Sequence, residues 1–98
     1  MTHATLQIRQ DHLDVLASDH AARRKQQRGI SDQAVELVLK FGRYVYQSGR
    51  KTYSVSLDKK GIQALRRRYG QVKELSKLRN MYLILSSDNV LVTCAYRD

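Results

Sequence analysis

The chain has 98 residues, which suits a single compact domain. Its 18 lysine and arginine residues outnumber nine acidic residues, so the formal net charge is +9. A hydrophobic content of 42% is too high for a disordered basic tail, so the charge belongs to a folded domain. Such an excess favours a polyanionic partner: RNA, DNA, an anionic membrane or a very acidic protein. The alternative is a basic surface that serves only solubility.

Several classes of protein are excluded by residue content. The one cysteine, Cys94, excludes an internal disulfide and a Cys-rich zinc site. The opening stretch lacks the apolar core of a secretory signal peptide, because Arg9, Asp11 and Asp14 interrupt it. No apolar run approaches the ~18 residues that a membrane span needs. The three histidines, His3, His12 and His20, are too far apart for a helical metal pair. We therefore expect a cytoplasmic protein with no cofactor, no metal and no membrane contact.

The first predicted elements cover residues 1–28, in which an acidic segment, residues 1–22 with three acids and one base, precedes a basic one. Residues 1–10 are typical of a short strand or a loose arm, because apolar and polar residues alternate weakly there. A helical pattern follows from Asp11 to Arg28, with either Asp11 or Ser18 as its N-cap. The pattern allows one long helix, or a short turn followed by a helix. Gly29 suits the left-handed residue that ends a helix.

A second helix and a hairpin are predicted next. Ser31 can cap a helix over Asp32–Phe41, which Gly42 ends. The runs Arg43–Gln47 and Lys51–Leu57 are rich in tyrosine and β-branched residues and flank a turn that contains glycine. This pattern indicates a β-hairpin.

The rest of the chain repeats the helix-then-hairpin order. Asp58 can cap a third helix, which breaks or kinks at Gly70. Two apolar strands follow, Met81–Ser86 and Val90–Tyr96, joined by a polar turn. The predicted order is α-α-β-β-α-β-β. This is one α+β domain over residues 1–98, with helices packed on a four-stranded antiparallel sheet.

The densest polar feature is the segment from His20 to Arg28. At ~100° per residue, five of its side chains fall within one arc of about 140°: His20, Arg23, Arg24, Gln27 and Arg28. If the helix runs unbroken from Asp11, the apolar Leu13, Leu16 and Ala17 lie on the same face. The stripe then turns from apolar to polar at His20, as a core-facing stripe does where it leaves the core and lines a cleft. The alternative is a solvated basic helix, with His20 idle or paired with Asp19 or a carbonyl.

Two parts of the sequence resemble a known family. They are His20-Ala21-x-x-Arg24 followed by Arg28-Gly29-Ile30-Ser31, with Val35, Leu39 and Gly42, and the ending Val90-x-Val92-Thr93-x-x-Tyr96-Arg97. Over residues 18–97 the chain resembles small bacterial proteins classed as a domain of unknown function. These proteins are grouped with the RelE/ParE-like and BrnT-like toxins. The broader group shares the fold of barnase-like, EndoU-like and colicin-like ribonucleases, which agrees with the predicted order of elements.

The resemblance implies a metal-independent ribonuclease or a relative that has lost the activity. Such cleavage needs a base for the ribose 2′-OH, an acid for the leaving 5′-oxygen, and cations beside the phosphate. His20 suits the proton role, because a histidine titrates near working pH. Arg24, one helical turn on, would hold the phosphate. Arg28 could do the same, or simply stabilise the helix end beside Gly29.

Other residues are predicted from strand alternation. Lys51 and Tyr53 share one face of their strand, and Thr93 and Arg97 share one face of the last strand. We expect Thr93 and Arg97 to line a cleft with the first helix, with Thr93 as a third catalytic residue. Tyr96 then faces the core, together with Val90, Val92 and Cys94, and Cys94 is a buried small hydrophobe rather than a nucleophile.

The remaining basic residues are candidates for nucleic-acid binding only. Arg23 lies beside the catalytic candidates, and Arg66 and Arg67 lie in a run of three arginines that wraps around a helix. Tyrosines alternate with bases from Arg43 to Tyr53, which suits stacking on unpaired bases beside phosphate contacts. Half-buried sheet tyrosines explain the same pattern.

The leading hypothesis is a toxin-like, metal-independent endoribonuclease of a bacterial toxin–antitoxin system. An acidic antitoxin would cover its basic cleft, and an exposed strand edge or the third helix could support a dimer. Two alternatives remain at this point. One is a non-catalytic nucleic-acid-binding module, and the other is a protein-interaction domain whose basic face meets an acidic partner.

Overall fold

The computed structural model describes residues 4–8, 13–72 and 75–97. These residues form six strands and four helices, in this order along the chain: β1 (Ala4–Ile8), β2 (Leu13–Ala17), α1 (Asp19–Arg28), α2 (Asp32–Phe41), β3 (Arg43–Gln47), β4 (Thr52–Ser56), α3 (Lys59–Tyr69), α4 (Leu75–Arg79), β5 (Met81–Ser86) and β6 (Val90–Tyr96).

The six strands form one sheet in the order β1-β2-β6-β5-β4-β3. The last four of these pair antiparallel, as predicted. β2 joins β6 in parallel through a short contact, Leu16 with Val90 and Ala17 with Leu91, and β1 pairs antiparallel with β2. The α+β class is confirmed, and so is the order of two helices, two strands, a helix and two strands from α1 onward. The sequence did not predict β2, whereas α4 corresponds to the part of the predicted third helix that follows the break at Gly70.

The helix predicted from Asp11 to Arg28 is wrong over residues 13–17, which form β2. The proposed cap Asp11 lies outside the described residues. The alternative N-cap, Ser18, is confirmed, although a strand and not a short turn precedes the helix. The Ser18 Oγ accepts a hydrogen bond from the Ala21 backbone N–H at 3.1 Å and donates one to the Val92 carbonyl at 3.2 Å. The cap of α1 is therefore also its anchor on β6.

The other predicted helix ends are confirmed. Gly29 ends α1 with a φ of 65°, which an L side chain adopts only under strain. Ser31 caps α2 by accepting from the Ala34 N–H at 3.1 Å. Asp58 caps α3 by accepting from the Gly61 N–H at 2.8 Å. Each of these two N-caps, Ser31 and Asp58, satisfies a backbone N–H that has no partner within its helix.

The core lies between the helices and one face of the sheet. Residues directly opposite each other on neighbouring strands share a face, so the strand register defines rows across the sheet. One covered row contains Tyr44, Val55, Leu83 and Cys94, and the last three of these are fully buried. The covered face also receives Val35 and Val38 of α2, Leu65 of α3 and Ala21 of α1.

A β-bulge in β6 changes the alternation that the sequence predicted for this strand. Leu85 pairs with Leu91 while Ile84 pairs with Thr93, so Val92 is an extra residue without an opposite partner. Leu91 and Cys94 are therefore both buried, and Val92 is 36% exposed. The expectation that Val92 joins Cys94 on the apolar face is wrong. Tyr96 is partly buried and packs against the core, as expected.

The close approach of α2 to β4 predicts that Gly42 does not tolerate a side chain. A Cβ at Gly42 would lie 2.3 Å from the Val38 carbonyl and 2.8 Å from a Val55 methyl, whereas a Cβ at Gly49 meets nothing within 4 Å. We expect Gly42→Ala to lower the free energy of unfolding by about 2–3 kcal/mol, because the neighbours are backbone and core. Gly49→Ala should change it by less than about 0.5 kcal/mol. Urea unfolding measures both, and equal values would contradict this packing.

Candidate nucleic-acid interface

The face of the sheet opposite the helices carries mostly polar side chains. Two rows cross it in the antiparallel register, one made of Val45, Ser54, Ile84 and Thr93, the other of Arg43, Ser56, Tyr82 and Ala95. This surface is called the open face below. Along each strand, successive side chains point alternately to the open face and to the covered face. The polar residues of the open face therefore occupy every second position of their strands.

A depression of about 470 Å³ lies on the open face. Two guanidinium groups, four hydroxyl groups, a carboxamide and two apolar side chains line it: Arg50, Arg97, Thr52, Ser54, Tyr82, Thr93, Gln47, Ile84 and Val92. None of these lining residues is acidic.

The two arginines border the depression from different elements. Arg50 belongs to the β3–β4 turn, and Arg97 follows the end of β6. The Arg97 Nη2 atom donates to the Ser56 Oγ at 3.3 Å, which directs the guanidinium across the open face. Guanidinium groups bind phosphate oxygens through paired N–H donors, and hydroxyl groups donate to the same oxygens. The depression is therefore chemically suited to phosphate.

The predicted cleft between the first helix and Thr93 does not form. The Cys94 Sγ lies 3.8 Å from the Ala21 carbonyl, which places α1 over the covered side of β6. Thr93 and Arg97 line the depression on the opposite side of the sheet. His20 is exposed on α1. The expectation was wrong because adjacent residues of a strand point to opposite faces, and Cys94 is the one that meets the helix.

The basic side chains of α1 differ in their exposure. His20, Arg23 and Arg28 are exposed, and Arg24 is half-buried. Lys25 forms an ion pair with Asp32 at the start of α2, and burial lowers the pKa of its ammonium group. This pair joins the two helices across the turn at Gly29.

Cys94 is fully buried, as the sequence predicted. Burial raises the pKa of its thiol, and the positive charges of Lys25, Arg24 and Arg28 partly oppose that rise. The thiol is therefore protonated at neutral pH and behaves as a small apolar group in the core.

The predicted pairing of Lys51 with Tyr53 on one strand face is also wrong. Lys51 precedes β4 and has a φ of 52°, so it belongs to the turn rather than the strand. Tyr53 points to the covered side, opposite Tyr46. The alternation expected for a strand does not extend through a residue in the left-handed region.

The arginines of α3 do not border the depression. Arg66 and Arg67 are exposed in the last turn of α3, where they lie near the negative end of the helix dipole. The neighbouring Arg68 lies over the Tyr69 ring, with its guanidinium carbon 5.5 Å from the ring centroid. α3 contacts α2 on the covered side, so these charges belong to another part of the surface.

Sequence reasoning identified Thr93 and Arg97 but missed the residues they meet. Thr52, Ser54 and Ser56 alternate with Tyr53 and the buried Val55 along β4. This alternation of polar and apolar residues was visible in the sequence, and it indicates a strand with one face that the helices do not cover.

In the described part of the chain, no cluster of three or more His, Cys, Asp or Glu side chains could hold a metal ion. No helix among the described residues is long and apolar enough to cross a membrane.

No protein-family model, curated protein or solved structure matches the chain. The family resemblance therefore stays a prediction.

Proposed function

We propose that this protein binds RNA through the open face of its sheet. The observation that carries the proposal is the depression bordered by Arg50 and Arg97, which combines two guanidinium groups with four hydroxyl groups and no carboxylate among its lining residues. A phosphate chain supplies the acceptors that these donors need. The net charge of +9 adds a long-range attraction for the same partner.

The position of the arginines favours a chain of phosphates over a single anion. Arg50 lies at the Thr52 end of β4, and Arg97 donates to Ser56 at the other end. Four residue steps of a strand span about 13 Å. The two arginines therefore extend over the depression from opposite ends of β4, an arrangement that suits successive phosphates of an extended strand.

The proposal predicts a specific loss of RNA binding in Arg97→Gln. This change removes one phosphate contact, so we expect affinity to fall about tenfold, which corresponds to roughly 1.4 kcal/mol. The slope of log K against log salt should fall in magnitude by about 1. Fluorescence anisotropy with a labelled RNA, repeated across salt concentrations, measures both quantities.

Arg66→Gln is the matched control, because it removes the same charge from an exposed arginine away from the open face. It should weaken binding less than Arg97→Gln and leave the salt slope nearly unchanged. The reverse order of effects would place the RNA on α3 and contradict the proposed surface. If the wild type does not bind RNA at low salt, the RNA-binding proposal fails. The alternative of a protein-interaction domain that meets an acidic partner then remains.

A second candidate function is metal-independent RNA cleavage of the toxin-like kind implied by the resemblance. The observation that favours it is the accessibility of His20 on α1, with Arg24 one helical turn away. An imidazole can accept the 2′-OH proton, and a guanidinium can stabilise the charge that develops on the phosphate. An acidic antitoxin covering these cations would then inhibit the enzyme.

Cleavage in the presence of a chelator tests this candidate. If His20 transfers the proton, His20→Ala should slow cleavage about 100-fold or more. Gln26→Ala, an exposed change on the same helix and outside the arc of His20, should cleave at the wild-type rate. Equal rates for wild type and His20→Ala would exclude His20 from catalysis. Loss of cleavage in Tyr82→Phe alone would move the chemistry to the open face.

A further inference from the structure

We infer that the RNA is single-stranded and that its unpaired bases stack on a row of three tyrosines at the β3 edge of the sheet. The row consists of Tyr44, Tyr53 and Tyr46. This inference rests on the proposed RNA binding and adds the class of RNA that the surface takes.

The three rings form a continuous aromatic surface. Tyr53 lies between the other two, with its ring centroid 6.4 Å from that of Tyr44 and 5.0 Å from that of Tyr46. The rings of Tyr44 and Tyr53 meet edge to face at 68°, and those of Tyr46 and Tyr53 are tilted by 55°. Such contacts orient the rings before any ligand arrives.

The row remains open to solvent although it points to the covered side of the sheet. The side chains of Tyr44, Tyr46 and Tyr53 are 43%, 51% and 36% exposed. On the same face of the sheet, Leu85 lies opposite Tyr53 and Leu91 lies opposite Leu85, and both leucines are buried. The helices thus cover the centre of this face and leave its β3 edge bare. A contiguous exposed aromatic group on a small domain marks an interaction surface.

A backbone contact fixes one end of the row. The Tyr44 hydroxyl donates to the Leu39 carbonyl of α2 at 2.6 Å, which holds the ring against the end of that helix. Tyr46 is the most exposed of the three. A preorganised ring loses little conformational entropy when a base stacks on it.

The charge around the row favours nucleic acid over an apolar protein segment. Arg43 precedes Tyr44 on β3, and Arg50 and Lys51 form the turn that joins Tyr46 to Tyr53. Aromatic rings beside cations are the recurring combination in proteins that bind single strands, since bases stack on the rings and phosphates meet the cations.

The two surfaces meet at β3. The phosphate-binding depression lies on one side of the sheet and the tyrosines on the other, with β3 as the edge strand between them. An RNA strand whose phosphates lie on the open face reaches the tyrosines only by turning bases outward over this edge. Paired bases inside a duplex cannot do so, because they are stacked and hydrogen-bonded within the helix.

Tyr46→Leu tests the inference directly. Three probes of about 12 nucleotides are compared: a single strand without self-complementarity, its duplex, and a strand of abasic sites. We expect the wild type to prefer the single strand, and Tyr46→Leu to weaken that complex about fivefold or more. The salt slope should not change, because no phosphate contact is lost. Tyr46→Phe should restore the affinity, since the phenyl ring still stacks.

Tyr69→Leu is the matched control. Tyr69 is 45% exposed and lies on α3, with its ring edge to face with Phe41 and outside the row. It should bind the single strand like the wild type. Thermal unfolding of each variant shows that the fold is retained. Because the chain has six tyrosines and no tryptophan, quenching of tyrosine fluorescence by the single strand, reduced in Tyr46→Leu, gives a second measurement.

The outcomes separate the two claims. If single strand, duplex and abasic strand bind equally and Tyr46→Leu has no effect, the stacking inference fails while the RNA-binding proposal stands. If the wild type binds none of the probes, both fail. If Tyr46→Leu and Tyr46→Phe weaken binding equally, a hydroxyl contact replaces stacking and the inference is wrong.

Discussion

Burial of a single face of β5 and β6 is the constraint on which the rest of the structure depends. Met81, Leu83 and Leu85 alternate with half-buried residues along β5, so one face of the central strands is apolar and the other is not. All the apolar helix faces must pack on the same side to cover them. The opposite side of the sheet is left open, and its side chains are those that strand alternation places there.

The same constraint produces the two surfaces proposed to bind RNA. Because the helices cover only the centre of one face, the β3 edge keeps its tyrosines exposed, while the bulge at Val92 directs Thr93 to the open face beside Ile84. Cations then lie at the ends of the strands, in the turn at Arg50 and after β6 at Arg97. Part of the excess of positive charge therefore borders the uncovered parts of the sheet, and the rest lies along the helices.

The sequence was informative wherever a local signal decides the structure. Caps at Ser31 and Asp58 and the polar turn between β5 and β6 predicted those helices and strands, because each depends on a few adjacent residues. Residues 13–17 carry both signals, since Leu13, Leu16 and Ala17 have helical spacing and Leu13, Val15 and Ala17 alternate. Pairing with β1 and β6 decides between them, and sequence spacing does not encode that pairing.

The candidate site was harder to predict, because it depends on which face of each strand the helices cover. Thr93 and Arg97 were assigned to one strand face correctly, but that face lies away from His20, and the bulge at Val92 shifts the alternation before Thr93. A pattern of period two predicts that two faces differ, but not which one meets a helix.

The most direct test of the open face as the binding surface is a backbone amide NMR titration with a single-stranded RNA of about 12 nucleotides. The account predicts that chemical shifts change most in the β3–β4 hairpin and from Thr93 to Arg97, with little change at Arg66 and Arg67. Changes confined to α3, or to His20–Arg28 of α1, would contradict it.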